Sequence, residues 1–175
     1  LFSTSELVLD DNLLLLKGPL LGLLSTHLQY PDEDLFVLAC DMPLMEPPIL
    51  KELHVRYLSN PGADAHLFTN RNEPEPLCGI YNSKALKHLI SLYHQQLLPR
   101  HSLKFALEQI DPSLYPTTEA QQCFFYNINT PADLTDWKDG ISPFWFYKIL
   151  FSCFLQEIVI VGANSKNSSG QQPGE

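Results

Sequence analysis

The sequence predicts an α/β domain in which a mostly parallel sheet is covered by helices on both faces. Three observations carry that expectation. Strand-like and helix-like segments alternate along the chain, the pattern that builds layered folds with right-handed crossovers. The clearest strand, Asp34–Cys40 (D-L-F-V-L-A-C), is nearly continuous in apolar residues, as strands buried on both faces are. Hydrophobic residues make up 45 % of 175, enough for one sizeable core, whereas two domains would each be small.

Leu7–Asp11 (L-V-L-D-D) is a short apolar run ending in two carboxylates and reads as a buried strand. Gly18-Pro19 opens a helix, because proline fits a first helical turn. Asp34–Cys40 ends at Asp41-Met42-Pro43. The next helix runs from about Pro47 to Leu58, with Ile49, Leu50, Leu53 and Tyr57 at helical spacing, and Ser59-Asn60-Pro61-Gly62 stops it. Ala63–Thr69 alternates as a strand, Asn70–Glu75 is a polar turn, and Pro76–Tyr81 is a further strand. Ser83 caps a helix to about Leu97, and Ser102 caps a shorter one to about Ile110. Pro112–Glu119 reads as loop and Cys123–Asn127 as strand. Thr130 caps a short helix beginning at Pro131, Ser142-Pro143 starts a helix to about Phe154, and Glu157–Gly162 is the last strand.

The 20 acidic residues outnumber the 11 basic ones, for a net charge of −9, which argues against a nucleic-acid partner. Cys40, Cys78, Cys123 and Cys153 form no C-x-x-C pair; neither a zinc site nor a disulfide framework is expected. The apolar stretches Leu13–Leu16 and Phe144–Leu155 fall well short of a ~20-residue membrane span, and no signal peptide is visible. A soluble, cytoplasmic domain without membrane contact is the expectation.

Ligands of open α/β sheets bind outside the carboxyl ends of the strands. That rule singles out Asp10, Asp11, Asp41, Asn127, Asn129 and Asn164. Asp41 follows a buried strand and precedes a Met-Pro step, where a carboxylate can hold Mg²⁺ while phosphates supply further oxygens; a turn aspartate is the plainer alternative. Asp10 and Asp11 suit a ribose or base contact, or a solvated turn. Gly18-Pro19-Leu20-Leu21-Gly22 lets a ligand approach a helix N-terminus, or simply starts a helix. Leu13–Leu16, beside Lys17, covers the sheet or meets a partner. The histidines lack metal-ligand spacing, and the motifs of dinucleotide folds, P-loops and α/β-hydrolases are missing from the sequence.

Four segments, in order, resemble the MobA-like nucleotidyltransferases, the molybdenum cofactor guanylyltransferases. V-L-A-C-D-M-P-L (37–44) resembles their strand–Asp-x-Pro segment, and G-P-L-L-G (18–22) their G-P-L-x-G helix start. E-P-L-C-G-I-Y (75–81) resembles their P-L-x-x-x-Y strand, and N-I-N-T-P-A-D-L (127–134) their N-x-N-T-P-x-[DE]-L. The resemblance implies a three-layer Rossmann-like fold that uses Mg²⁺ and transfers GMP from GTP to molybdopterin, releasing pyrophosphate. It implies Asp41 as the catalytic, Mg²⁺- and GTP-contacting aspartate. Asp11, with Asp10 beside it, and Gly18 fall on the nucleotide side. Asn127 and Asn129 fall on the acceptor side, with Ser102 and Lys104 near the acceptor. Molybdoenzyme-maturation proteins are the further partners it suggests. A related cytidylyl- or sugar-phosphate nucleotidyltransferase, or a non-catalytic binding module of the same fold, are the alternatives.

The order of segments departs from the family, which opens with L-A-G-G-x-S-x-R-M-G-x-D-K; no such segment stands in this sequence. Residues 141–164 resemble the family's first helix and second strand, which normally follow that glycine loop. On this reading residues 1–175 are one domain, with 1–138 the family core in order, 141–164 a displaced segment and 165–175 a loop or disordered tail. Asn164 then matches a nucleotide-contacting asparagine. Circular permutation or a reordered native segment would produce this pattern; an unrelated C-terminal extension is the alternative. Weak triphosphate binding by this chain is expected without the glycine loop and its lysine.

Overall fold

The computed structural model describes residues 8–128 and the backbone of 158–163. Helix α1 is Pro19–Gln29, strand β1 Asp34–Ala39, helix α2 Pro47–Ser59, strand β2 Ala65–Asn70 and strand β3 Glu73–Tyr81. Helix α3 is Ser83–His94, helix α4 Leu103–Leu107 and strand β4 Pro112–Pro116. A 3-10 helix, Glu119–Phe125, and strand β5, Ile158–Ala163, complete them.

The strands form one sheet in the order β4-β2-β3-β1-β5. The expectation of a mostly parallel sheet needs correction. Only β2 and β4 pair in parallel, whereas β1–β3, β2–β3 and β1–β5 are antiparallel. For β3 the cause is local: β2 and β3 are joined by Arg71 and Asn72 alone, both with positive φ (51° and 67°). Two such residues make the tight turn that matches strand twist in a hairpin, so β3 must return antiparallel. The polar turn expected over Asn70–Glu75 is thus shorter, and β3 begins at Glu73. β1, β2 and β4 still point the same way, with β3 between β1 and β2, so their carboxyl ends share one edge.

Alternation along β1 and β2 divides two cores. Leu35, Val37, Ala65 and Leu67 face α1, α3 and α4, through Leu20, Leu23, Leu24, Leu86, Leu89, Leu103 and Leu107. Phe68, Cys78 and Ile80 face α2 and the 3-10 helix, through Ile49, Leu53, Tyr57 and Phe125. The result is a three-layer sandwich. Asp34 ties the layers at the start of β1: its carboxylate accepts from Tyr57 Oη of α2 and from the Ser83 N–H of α3, each at 2.7 Å.

Other differences have identifiable causes. Over the described part of Leu7–Asp11, residues 8–11, the expected strand is not formed. Val8–Asp11 is irregular, and its bonding goes to a turn: Leu13 N–H donates to Asp11 Oδ1 and Leu14 N–H to Asp11 O. Leu14 and Leu16 are buried against α1 and α3, while Leu13 and Leu15 are 85 % and 80 % exposed. Pro112–Pro116 is an edge strand rather than loop; an edge tolerates prolines, whose missing N–H need not serve a second neighbour. Cys123–Asn127 is not a strand, since Cys123–Phe125 belongs to the 3-10 helix. Its missed signal is Thr118-x-x-Gln121, where Gln121 Oε1 accepts from Thr118 N–H at 2.9 Å, as in a capping box. Asn82, one residue before Ser83, caps α3, accepting from Ala85 N–H at 2.7 Å. The helices expected from Pro131 and Pro143, and the tail after residue 164, lie outside the described residues. Among the described residues no helix is long and apolar enough to cross a membrane.

Candidate functional site

At the edge where β1, β2 and β4 end, the chain gathers oxygen atoms that lack partners. Asp41 follows β1 through Cys40. Its side chain is half-buried, and Oδ1 is fully buried with no hydrogen-bond partner. Met42 and Met45 are buried against α2, which anchors the turn beyond Asp41. Burial pushes the Asp41 carboxyl above the usual carboxylate range, partly offset by a backbone hydrogen bond.

Asn127 arrives from a distant part of the chain. The next residue, Ile128, donates its N–H to the Asp41 carbonyl at 2.9 Å and is itself buried. This bond fixes Asn127 beside the β1 terminus, and Asn127 Oδ1 is likewise buried and unpartnered. The structure therefore brings together two residues that lie far apart in sequence and that the strand-end rule selects separately.

Two further residues belong here that sequence reasoning missed. Asn70, the last residue of β2, has a buried, unpartnered Oδ1. Glu75, near the start of β3, is half-buried; burial raises its carboxyl, the Asn70 side chain lowers it, and the charge of Asp41 raises it. Asn70 and Glu75 read as a polar turn in the sequence; only the pairing of β3 against both β1 and β2 turns them toward Asp41. The available signal was Glu75 immediately before P-L-C-G-I-Y.

The remaining candidates are not all at this edge: Asp11 sits against Ser25, about two turns into α1. Gly18 caps α1 with φ 63° and ψ −155°, a conformation that is essentially glycine-only. The short Tyr30–Glu33 connection reverses the chain between α1 and β1, so the start of α1 lies toward the end of the molecule where β1 terminates. Asp11 belongs to that approach segment: its N–H donates to Ser25 Oγ of α1 at 2.8 Å and its carboxylate accepts from Leu13 N–H at 2.8 Å. Asp10 is exposed. Ser102 Oγ accepts from Phe105 N–H at 3.2 Å, capping α4. Lys104 Nζ pairs with Glu73, at the start of β3, at 2.7 Å, fully in solvent. Asn129 and Asn164 lie outside the described residues, and the strand-end expectation for Asn164 needs correction: Ala163, just before it, pairs with Asp34 at the start of β1, the sheet edge opposite Asp41, because β5 runs antiparallel to β1.

Among the described residues, no group of three His, Cys, Asp or Glu side chains could hold a metal ion by itself. The donors present are nonetheless all oxygens: two carboxylates and two amide carbonyls, three of the atoms buried without a partner. Mg²⁺ prefers oxygen and needs only one or two carboxylates when phosphates supply other ligands. The residues fit that ion.

Fold and edge together define a three-layer α/β domain of the nucleotidyltransferase type, with its polar crevice where the parallel-running strands end. Residues 5–111 match the model of the MobA-like NTP transferase domain, and the chain belongs to that family. It is 34 % identical over 137 residues to a probable molybdenum cofactor guanylyltransferase of Nostoc sp., covering 73 % of this chain and 61 % of that protein. A protein of the same description from Flavobacterium johnsoniae is 28 % identical, covering 78 % and 66 %. The chain thus spans roughly three-fifths to two-thirds of the length of these relatives. Among solved structures, molybdopterin-guanine dinucleotide biosynthesis protein A from Archaeoglobus fulgidus superposes with a TM-score of 0.55 at 26 % identity, covering 70 % of this chain and 62 % of that one.

Proposed function

We propose that the protein is a guanylyltransferase of molybdenum cofactor biosynthesis, transferring GMP from GTP to molybdopterin with release of pyrophosphate. The observation that supports this most directly is the buried, unpartnered carboxylate oxygen of Asp41 beside Asn127, at the carboxyl edge of the sheet. An orphaned acceptor of this kind carries a desolvation cost that a ligand can relieve. The family membership and the relatives' names supply the reaction.

In this reaction a terminal phosphate oxygen of the acceptor bonds to the α-phosphorus of GTP, and the bond to the β-phosphate oxygen breaks. The protein needs no covalent step; positioning and charge complementarity provide the rate. Asp41, with Asn70, Asn127 and Glu75 around it, would hold Mg²⁺, which when bound neutralises charge developing on the phosphates. Asp11, with Asp10 beside it, and Gly18 at the start of α1 orient the nucleotide. Asn127 and Asn129 offer amide groups to a pterin edge. Ser102 keeps a hydroxyl hydrogen to donate, and Lys104 exchanges Glu73 for an acceptor phosphate. A cytoplasmic location and delivery of product to molybdoenzyme-maturation proteins belong to the same reading.

The test is product formation from GTP, Mg²⁺ and molybdopterin. Asp41→Ala is expected to abolish it with the fold retained; full turnover by that variant overturns the assignment. Calorimetry with GTP and Mg²⁺ tests the expectation of weak triphosphate binding by the 175-residue chain; micromolar affinity overturns it.

A further inference from the structure

β3 does not run evenly past β2. Gly79 pairs with Leu67, and the next pairing is Pro74 with Thr69. The stretch Glu75–Cys78 therefore stands opposite Phe68 alone, a long bulge. Bulges re-aim side chains and are enriched beside active sites.

A side chain at the far end of the same strand holds this bulge in shape. Tyr81, only 1 % exposed, donates its hydroxyl to the Pro76 carbonyl at 2.7 Å. Its ring lies over Gly79, where a Cβ would run into the Leu67 side chain and crowd the His66 carbonyl while meeting the Tyr81 ring at ordinary contact distance. The P-L-x-x-x-Y pattern is thus a closed loop of contacts, with proline and tyrosine at its two ends and glycine between them.

The bulge carries Glu75 toward Asp41. β1 pairs with β3 as far as Leu38↔Cys78; Asp41 lies three residues beyond Leu38, in the turn after β1, and Glu75 three residues before Cys78, so both stand at the same end of this strand pair. Burial and the charge of Asp41 push the Glu75 carboxyl up, and the Asn70 side chain holds it down. Among the described residues no lysine, arginine or histidine forms an ion pair with either: Arg56, Lys87 and Lys104 are paired with Glu52, Asp32 and Glu73. Two half-buried carboxylates at one sheet edge, with the orphaned amide oxygens of Asn70 and Asn127 at the same edge, lack only a positive charge.

We infer that the Tyr81 hydroxyl is a positioning group that, by holding the Pro76 carbonyl, presents Glu75 as the second carboxylate beside Asp41 for a divalent cation. This rests on the proposal that Asp41 takes such a cation. Tyr81 itself never touches the ion; it acts through the bulge.

The experiment measures Mn²⁺ binding by electron paramagnetic resonance, with and without GTP, for wild type, Asp41→Asn, Glu75→Gln, Tyr81→Phe and the Glu75→Gln/Tyr81→Phe double variant. Circular dichroism confirms that each is folded. Asp41→Asn should lose binding, and Glu75→Gln should weaken it about tenfold, the scale seen for groups that support a metal site. Tyr81→Phe should weaken it by a smaller factor, and the double variant should bind no more weakly than Glu75→Gln alone, because both changes act on one group. Losses from Glu75→Gln and Tyr81→Phe that multiply independently would overturn the positioning role. Wild-type affinity in Glu75→Gln, with binding lost in Asp41→Asn, overturns the inference while sparing the proposed cation site. Wild-type affinity in Asp41→Asn overturns both.

Discussion

Asp41→Asn should make the protein more stable and less active at once. The substitution keeps the shape of the side chain and replaces a carboxylate by an amide. In the wild type, Asp41 Oδ1 is buried without a partner, and burial raises the carboxyl above its ordinary value of 3.8. A raised carboxyl means that the folded state holds its proton more tightly than the unfolded chain does. The stability cost of ionising Asp41 is therefore absent below about pH 3.8, grows as pH rises through the folded value, and is fully present at neutral pH. Glu75 follows the same direction, and Asp41's charge contributes to its shift. Asparagine keeps an acceptor at this position, so what the substitution relieves is the cost of burying a charge; with Asp41 half-exposed, solvent screening brings the expected gain to about 1 kcal/mol. For a chain of this size that corresponds to about 2–4 °C in Tm. The assay is thermal denaturation of both proteins at pH 7.5 and pH 4, without divalent cation and then with Mg²⁺ and GTP. The Asp41→Asn variant should melt higher at pH 7.5, the difference should shrink at pH 4, and Mg²⁺ with GTP should raise the wild type more than the variant. Guanylyl transfer should fall at least about 10²-fold, the scale of losing one preorganised electrostatic group. A variant that melts below the wild type at pH 7.5 in the absence of cation would refute the reasoning.

Burial holds both His27 and His66 below the usual histidine value of 6.5. The unfolded chain then binds protons more readily, so their contribution is intact above pH 6.5 and is lost as pH falls below it; melting curves at pH 7.5 and 5.5 should show that drop, reduced in His66→Gln. Gly79→Ala should cost about 1–3 kcal/mol by overpacking against the Leu67 side chain and the His66 carbonyl. Gly18→Ala should cost a similar ~1–3 kcal/mol through backbone strain alone, since nothing lies within 4 Å of a Cβ there; chemical denaturation reads both, and an unchanged midpoint in either refutes its account. Lys104→Ala should leave Tm unmoved, because its pair with Glu73 is solvated, while raising KM for molybdopterin in steady-state assays.

Much of this molecule could be read from local pattern. The continuous apolar run of β1 and the Gly18-Pro19 start of α1 stand where short-range chemistry puts them. The Ser102 cap of α4 does too. A strand, a proline-initiated helix and a capped turn each answer to residues within a few positions, so the sequence by itself determined the alternation of elements, the α/β class and the candidacy of Asp41. Pattern failed where identity depended on a neighbour. Pro112–Pro116 is a strand only because β2 offers an edge, and Cys123–Phe125 is helical because Thr118 and Gln121 meet. The sheet is mixed because a two-residue hairpin sets the direction of β3 and because β5 pairs antiparallel with β1. The make-up of the crevice was also a tertiary decision. Asp41, Asn70, Glu75 and Asn127 become one oxygen-lined group through the hairpin, the β3 bulge and the Ile128–Asp41 bond. Carboxylates and amides interact only over a few ångströms, and it is strand register, a long-range property, that brings them within that distance.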